Sequence, residues 1–158
     1  MSFSALFRRE IVNWLGENER KINYICRLPG GFEIWFQCEM ACFFNSNNVF
    51  FEREVNVYRK ADLKADFLLH FDGESYVAEL KCQSFYNRGA FYPSIIRDIE
   101  KFSQIKREYK DYRKLVFGLI TDGYGRELLE YERGEKECEL CTIETRGALG
   151  YALISFSP

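Results

Sequence analysis

At 158 residues, with 47% apolar and 29% charged residues, the chain reads as one soluble globular domain spanning 1–158. A formal net charge of −2 argues against a protein that coats nucleic acid through bulk charge, while leaving room for an enzyme with a local basic groove. No apolar run approaches the roughly 18 residues of a membrane span, and Arg8, Arg9 and Glu10 interrupt the first apolar stretch, so neither a membrane segment nor a signal peptide is expected.

Residues 4–20 carry Leu6, Ile11, Trp14 and Leu15 at helical spacing, with Gly16 near the end, and predict an amphipathic helix. Residues 21–29 read as a short strand closed by Pro29-Gly30-Gly31. Residues 32–44 are almost wholly apolar and stop at Asn45-Ser46-Asn47-Asn48; their length, Gln, Glu, Met and Ala favour a buried helix. From Val49 the period changes to two. Strands are predicted over 49–58, 64–71 and 75–82, the last two joined at Asp72-Gly73, a hairpin turn signal. A polar loop over 83–93 precedes a helix over 94–109, which carries Ile95, Ile96, Ile99, Phe102 and Ile105 on its apolar side. A strand over 115–120, a short helix over 125–131 and strands over 138–143 and 150–156 complete the chain. This order predicts an α/β fold with a mixed central sheet flanked by helices. Fifteen Phe and ten Tyr predict a core built largely from rings.

Without a secretory signal the six cysteines read as reduced thiols in a cytoplasmic protein. Cys138 and Cys141 have CxxC spacing but no second ligand pair, and buried thiols are the better reading than a zinc adaptor. Charge is uneven. Residues 1–117 hold 18 basic against 16 acidic residues, whereas 118–158 hold 4 against 8. Residues 97–114 carry seven basic and four acidic residues, which suits either a solvated helix face or a flank that tracks phosphates.

The hairpin gives the sharpest inference. With Asp72-Gly73 as a two-residue turn, opposed residues have numbers summing to 145, so Phe67 faces Ala78, Asp66 faces Glu79 and Lys64 faces Lys81. Like charges directly opposite repel unless something neutralises them. One reading is a diagonal checkerboard on a wet sheet face, pairing Asp66 with Lys81 and Glu79 with Lys64. The other places a divalent cation between Asp66 and Glu79, with Lys81 beside it to orient or deprotonate a water. Glu39 is the only charged residue between Glu33 and Glu52, and on a helix it shares its face with Phe32, Trp35, Phe36 and Phe43. A buried carboxylate needs a partner, so Glu39 pairs with Arg53 or Lys64, or points through water at the same metal.

Glu39 on an apolar helix, Asp66 ahead of an apolar strand, and Glu79-Leu80-Lys81 on the return strand together resemble the PD-(D/E)XK nuclease superfamily. The likeness runs from Glu39 to about Ile120. It implies a restriction-endonuclease-like core: a helix, a three-strand meander, a crossover helix and a further strand. By resemblance, Asp66 and Glu79 bind Mg²⁺ (Mn²⁺ as a substitute) with help from the Leu80 carbonyl, Lys81 positions the nucleophilic water, and Glu39 adds an outer carboxylate. Gln83 is similar to a polar residue that some members place beside the site, and Asp98 and Lys101 would reach it from the crossover helix. Ala65 stands where many members have proline, and Asp62, which faces Gln83 in the same register, is a weaker rival to Asp66.

The expected function is therefore a Mg²⁺-dependent nuclease cutting DNA ahead of RNA. The alternative is a nuclease-like fold used, without catalysis, as a protein-binding or immunity module, for which the acidic segment 122–144 offers a surface. Paired cuts in duplex DNA would imply a homodimer.

Overall fold

Leu6, Phe7, Ile11 and Leu15 recur at helical spacing, and the helix they begin runs further than the sequence predicts. In the computed structural model, which describes residues 2–125, the backbone of 138–143, and residues 149–156, helix α1 spans Phe3–Ile25. Ser2 caps it, its side-chain oxygen accepting from Ala5 N at 3.3 Å. The strand expected over 21–29 does not form. Ile22 extends the buried stripe by two turns past Leu15, and Gly16 sits inside the helix with open space around it, so nothing ends the helix there. Helix α2 (Phe32–Ser46) follows, close to the expected bounds.

The meander forms as the alternation predicts: β1 (Phe50–Val55), β2 (Ala65–Phe71) and β3 (Glu74–Cys82), each antiparallel to the one before. Asp72 and Gly73 have φ of 51° and 81°, the two left-handed residues of a type I′ turn, so the register expected between β2 and β3 holds, with Phe67 opposite Ala78. Helix α3 (Arg88–Lys101) starts six residues before the expected position and carries Pro93 inside it. The polar stretch that reads as loop thus supplies the first turns of the helix, and the chain then breaks into two 3-10 turns, Phe102–Gln104 and Arg107–Tyr109.

The crossover through α3 lets β4 (Arg113–Ile120) lie parallel to β3. With β5 (Cys138–Ile143) and β6 (Leu149–Phe156) the described residues form a six-stranded mixed sheet in the order β1-β2-β3-β4-β6-β5. The fold is α/β. The helix expected over 125–131 falls, but for its first residue, outside the described residues. So do the side chains of Cys138 and Cys141 and most of the acidic segment 122–144.

Side chains alternate between the two faces of the sheet. Phe67, Leu69, Tyr76, Ala78, Leu80, Leu115, Phe117 and Leu119 pack under α1 and α2 in the larger core. It is built of rings, as the composition predicts: Phe117 meets Phe7 edge-on at 4.8 Å and stacks on Phe36 at 5.4 Å. Such pairs add about 0.5–1.5 kcal/mol each beyond their area burial. On the other face Val116 and Ile120 pack against Phe91 and Ile95 of α3. Gly118 makes that approach close: a Cβ there would lie 3.3 Å from both Ile95 Cδ1 and Phe91 Cζ. Since Gly118 pairs with Lys81 in the parallel ladder, the same close contact sets α3 beside the charged end of β3.

Candidate active site

The β2–β3 ladder ends at Phe67 and Ala78, and four segments converge on the opening beyond it. Asp66 stands at the start of β2. Its Oδ2 accepts from the Leu80 backbone N–H at 2.7 Å and its Oδ1 from Gln37 Nε2 of α2 at 2.8 Å. Glu79 and Lys81, two apart on β3, face α3 together. Lys81 Nζ lies 3.1 Å from Asp98 Oδ2 and 3.1 Å from Glu33 Oε1. Lys101, one turn beyond Asp98 on α3, reaches Asp98 Oδ1 at 2.7 Å and Glu79 Oε2 at 3.5 Å. The other oxygen of Glu79 accepts a short hydrogen bond from the buried Tyr58 hydroxyl. A cleft of about 420 Å³, lined by Glu33, Lys81, Asn87, Arg97, Asp98 and Lys101 among others, opens over the lysine side of this cluster, with Asp66 and Glu79 buried behind its lining.

The structure therefore gathers Asp66, Glu79, Leu80, Lys81, Asp98 and Lys101. It does not pair them as the checkerboard would. Lys81 turns to Asp98 and Glu33, Glu79 turns to Lys101 and Tyr58, and Lys64 stays exposed outside the ladder. Nor is Glu39 brought in. Its partner is Lys21 of α1 at 3.3 Å, rather than Arg53 or Lys64. Residues two apart on a helix diverge by about 200°, so Gln37 and Glu39 face opposite ways, and Gln37 is the one aimed at Asp66. Glu33, one turn before Gln37, shares its face and meets Lys81. Arg53 donates to Gln37 Oε1 at 3.2 Å and so holds that amide in place.

Gln83 is also occupied elsewhere. It is fully buried; its Oε1 accepts from the backbone N–H groups of Thr121 and Asp122 at 2.9 and 3.1 Å, and its Nε2 donates to Asp122 Oδ1 at 2.6 Å. It latches the end of β4 rather than facing the cluster. Glu33, Gln37 and Tyr58 were not visible as site residues in the sequence. The i,i+4 spacing of Glu33 and Gln37 at the start of an apolar helix was the available signal.

Burial dominates the electrostatics. Glu79 is 1% exposed, and its carboxyl is pushed up from 4.5 to about 8 by burial and by the neighbouring charges of Asp66 and Asp98, which outweigh Lys101 and the Tyr58 hydrogen bond. Burial also raises Asp66, from 3.8 to about 6, against the Leu80 N–H and Lys81. Burial alone would lower Lys81, but Asp98, Glu33 and Asp66 outweigh it and hold the ammonium group above its ordinary range. Lys81 is thus charged at neutral pH. In that state it can orient a water or a phosphate oxygen. Tyr58 is likewise raised, by burial and the Glu79 charge, and remains a donor.

Four carboxylates (Glu33, Asp66, Glu79, Asp98) meet two ammonium groups, an excess of two negative charges if all are ionised. Among the described residues no set of three or more His, Cys, Asp and Glu side chains stands grouped as a metal cage. Two carboxylates beside a backbone carbonyl are nevertheless hard oxygen donors. That suits an ion such as Mg²⁺, which takes one or two carboxylates and completes its shell with water and phosphate. Burial raises both carboxyls, and Asp66 and Asp98 raise Glu79 further, so a cation beside them would favour their ionised forms. The donor set fits the ion. Compared with known proteins, the chain matches no family model, no curated protein and no solved structure.

Proposed function

We propose that the chain is a divalent-metal-dependent nuclease with a restriction-endonuclease-like core, acting on DNA ahead of RNA. The observation that carries this reading is the convergence of Asp66, Glu79 and Lys81 at the open end of the β2–β3 hairpin, with excess negative charge under a cleft that Arg97 and Lys101 line. The order of elements is in keeping with it: helix α2, the meander β1–β3, the crossover α3, and β4 parallel to β3.

Asp66, Glu79 and the Leu80 carbonyl would hold the ion, which when bound supplies Lewis-acid stabilisation of charge on the phosphate. The chain's own residues do the rest. Asp98 and Glu33 keep Lys81 charged and aimed at the cleft, where its ammonium group donates to the attacking water or to a non-bridging phosphate oxygen. Gln37 and the Leu80 N–H fix the Asp66 carboxylate, and Tyr58 fixes Glu79. The test is cleavage of plasmid, single-stranded DNA and structured RNA with Mg²⁺ or Mn²⁺, run with wild type, Lys81→Ala and EDTA controls. Metal-dependent cutting lost by a factor of roughly a hundred or more in Lys81→Ala is the expected result.

One observation favours the second reading, a protein-binding module without catalysis. Each carboxylate of the trio already has a protein donor on both oxygens, so the network can stand without an ion. A folded wild type that neither cuts nor gains thermal stability from Mg²⁺ would decide for that reading.

A further inference from the structure

We infer that the loop after β3 is a base-stacking platform, and that the strand entering the cleft is single-stranded or locally unpaired nucleic acid. The inference rests on the nuclease reading of the neighbouring cluster and names its substrate class. Its observation is separate. Among the described residues, the exposed large apolar side chains are Tyr24, Leu28, Ile34, Phe85, Tyr86 and Tyr124, together with Phe50 on the edge strand. Several of them are tied together by hydrogen bonds or share a cleft. Phe85 N donates to Cys26 O at 3.0 Å, which joins the loop to the C-terminal end of α1, where Tyr24 lies in the last turn and Leu28 just beyond it. Tyr124 N donates to Asp122 Oδ1, the same carboxylate that pairs with Arg88 at 2.7 Å, and the Arg88 guanidinium lies 5.1 Å over the Phe85 ring.

The rings are held out by a stiff loop. Ser84 N donates to Asn87 Oδ1 at 2.7 Å, and Asn87 Nδ2 donates to Cys82 O at 2.8 Å, so the backbone that presents Phe85 and Tyr86 is braced at both ends. Phe85 is 59% and Tyr86 63% exposed, with ring centroids 5.6 Å apart at 82°, so both rings stand largely in solvent. Tyr86 lines a cleft of about 240 Å³ that adjoins the larger cleft over Lys81, the two sharing Glu33 and Asn87. Arg97 is exposed, lines the larger cleft, and has no ion pair among the described residues.

Preorganised rings near Arg97, which is unpaired among the described residues, suit bases and a phosphate in turn. A paired duplex hides its base faces within its own stack and offers nothing for Phe85 or Tyr86 to lie against, whereas an unpaired strand does. Stacking is indifferent to sequence, so the platform needs no base-reading motif, and none is visible in the chain.

The experiment is fluorescence anisotropy in EDTA, with labelled oligothymidylate of about 20 nucleotides and a duplex of equal length as probes, on wild type and a Phe85→Ala/Tyr86→Ala double variant. Wild type is expected to bind the single strand at least about tenfold more tightly than the duplex, and the double variant to lose roughly tenfold or more on the single strand alone. Arg97→Glu should weaken both probes and lower the salt slope by about one. Both rings are exposed, so a melting temperature within about 2 °C of wild type is the folding control. Equal affinity for the two probes, no binding of either, or a double variant that binds like wild type would overturn the inference. Binding without metal-dependent cleavage leaves the platform standing and sinks the nuclease reading. Cleavage of duplex plasmid with no single-strand binding does the reverse.

Discussion

Replacing Glu79 with Gln tests the electrostatics of the cluster without reference to any substrate. A carboxyl whose pKa is higher in the folded chain than in the unfolded one holds more protons when folded at every pH between the two values. Stability therefore falls as pH rises through that window and is lowest above it. For Glu79 the window runs from 4.5 to about 8. At about 1.4 kcal/mol per unit, its full width corresponds to roughly 5 kcal/mol, an upper bound because water and side-chain relaxation soften any buried charge. For a chain of this length each kcal/mol moves the melting temperature by about 2–4 °C, so the full effect would be roughly 10–20 °C and a third of it still about 3–6 °C.

The assay is thermal unfolding in EDTA from pH 5 to pH 8.5. Wild type should melt progressively lower across that range. Glu79→Gln keeps an acceptor for the Tyr58 hydroxyl but cannot ionise, so it should lose most of the slope above pH 6 and be the more stable protein at pH 8. Asp66 titrates from 3.8 to about 6, so its share of the slope lies below the range in which the variant differs. Lys81 and Lys101 are both raised above their ordinary values, and their stabilisation is lost only at strongly alkaline pH. A wild-type melting temperature flat to within about 2 °C between pH 6 and 8, or a variant with the wild-type slope, would refute the claim that burial of Glu79 dominates this site.

Other expectations rest on single contacts. Glu33→Gln should cost more cleavage than Glu39→Gln, because Glu33 meets Lys81 and Glu39 meets only Lys21 at the surface; equal effects in a parallel cleavage assay would contradict that placement. Gly118→Val inserts bulk 3.3 Å from Ile95 and Phe91 and should destabilise by about 1–3 kcal/mol in urea unfolding, with a matching loss of cleavage as α3 is pushed from Lys81. Gln83→Ala leaves the buried N–H of Thr121 and the half-buried N–H of Asp122 without their acceptor and should cost about 1–3 kcal/mol; a loss under 0.5 kcal/mol, on the order of an ordinary surface change, would show that the latch is not needed.

The parts of the site that the sequence made legible are those fixed by local rules. A type I′ turn at Asp72-Gly73 sets the hairpin register as far as Phe67 and Ala78, which leaves Asp66 and Glu79 as the next residues beyond the ladder, and alternation puts Lys81 on the Glu79 face. The helix ends were less legible, because Gly16 and Pro93 are weak stops when the stripe on either side has a core to pack against. Least legible was the choice of partner for each charge. Glu39 looked like the site carboxylate because it is alone among apolar residues, yet isolation in sequence says nothing about direction. Direction depends on how α2 is rotated over the sheet, and that is set by Phe36, Met40 and Phe44 burying themselves in the larger core. Once those three point inward, Glu33 and Gln37 face the open end of the hairpin and Glu39 faces α1. The same logic reaches Asp98, whose approach to Lys81 depends on the missing side chain at Gly118 on the neighbouring strand. A cluster of charges is thus positioned by apolar contacts, and its composition follows from packing that no charge pattern displays.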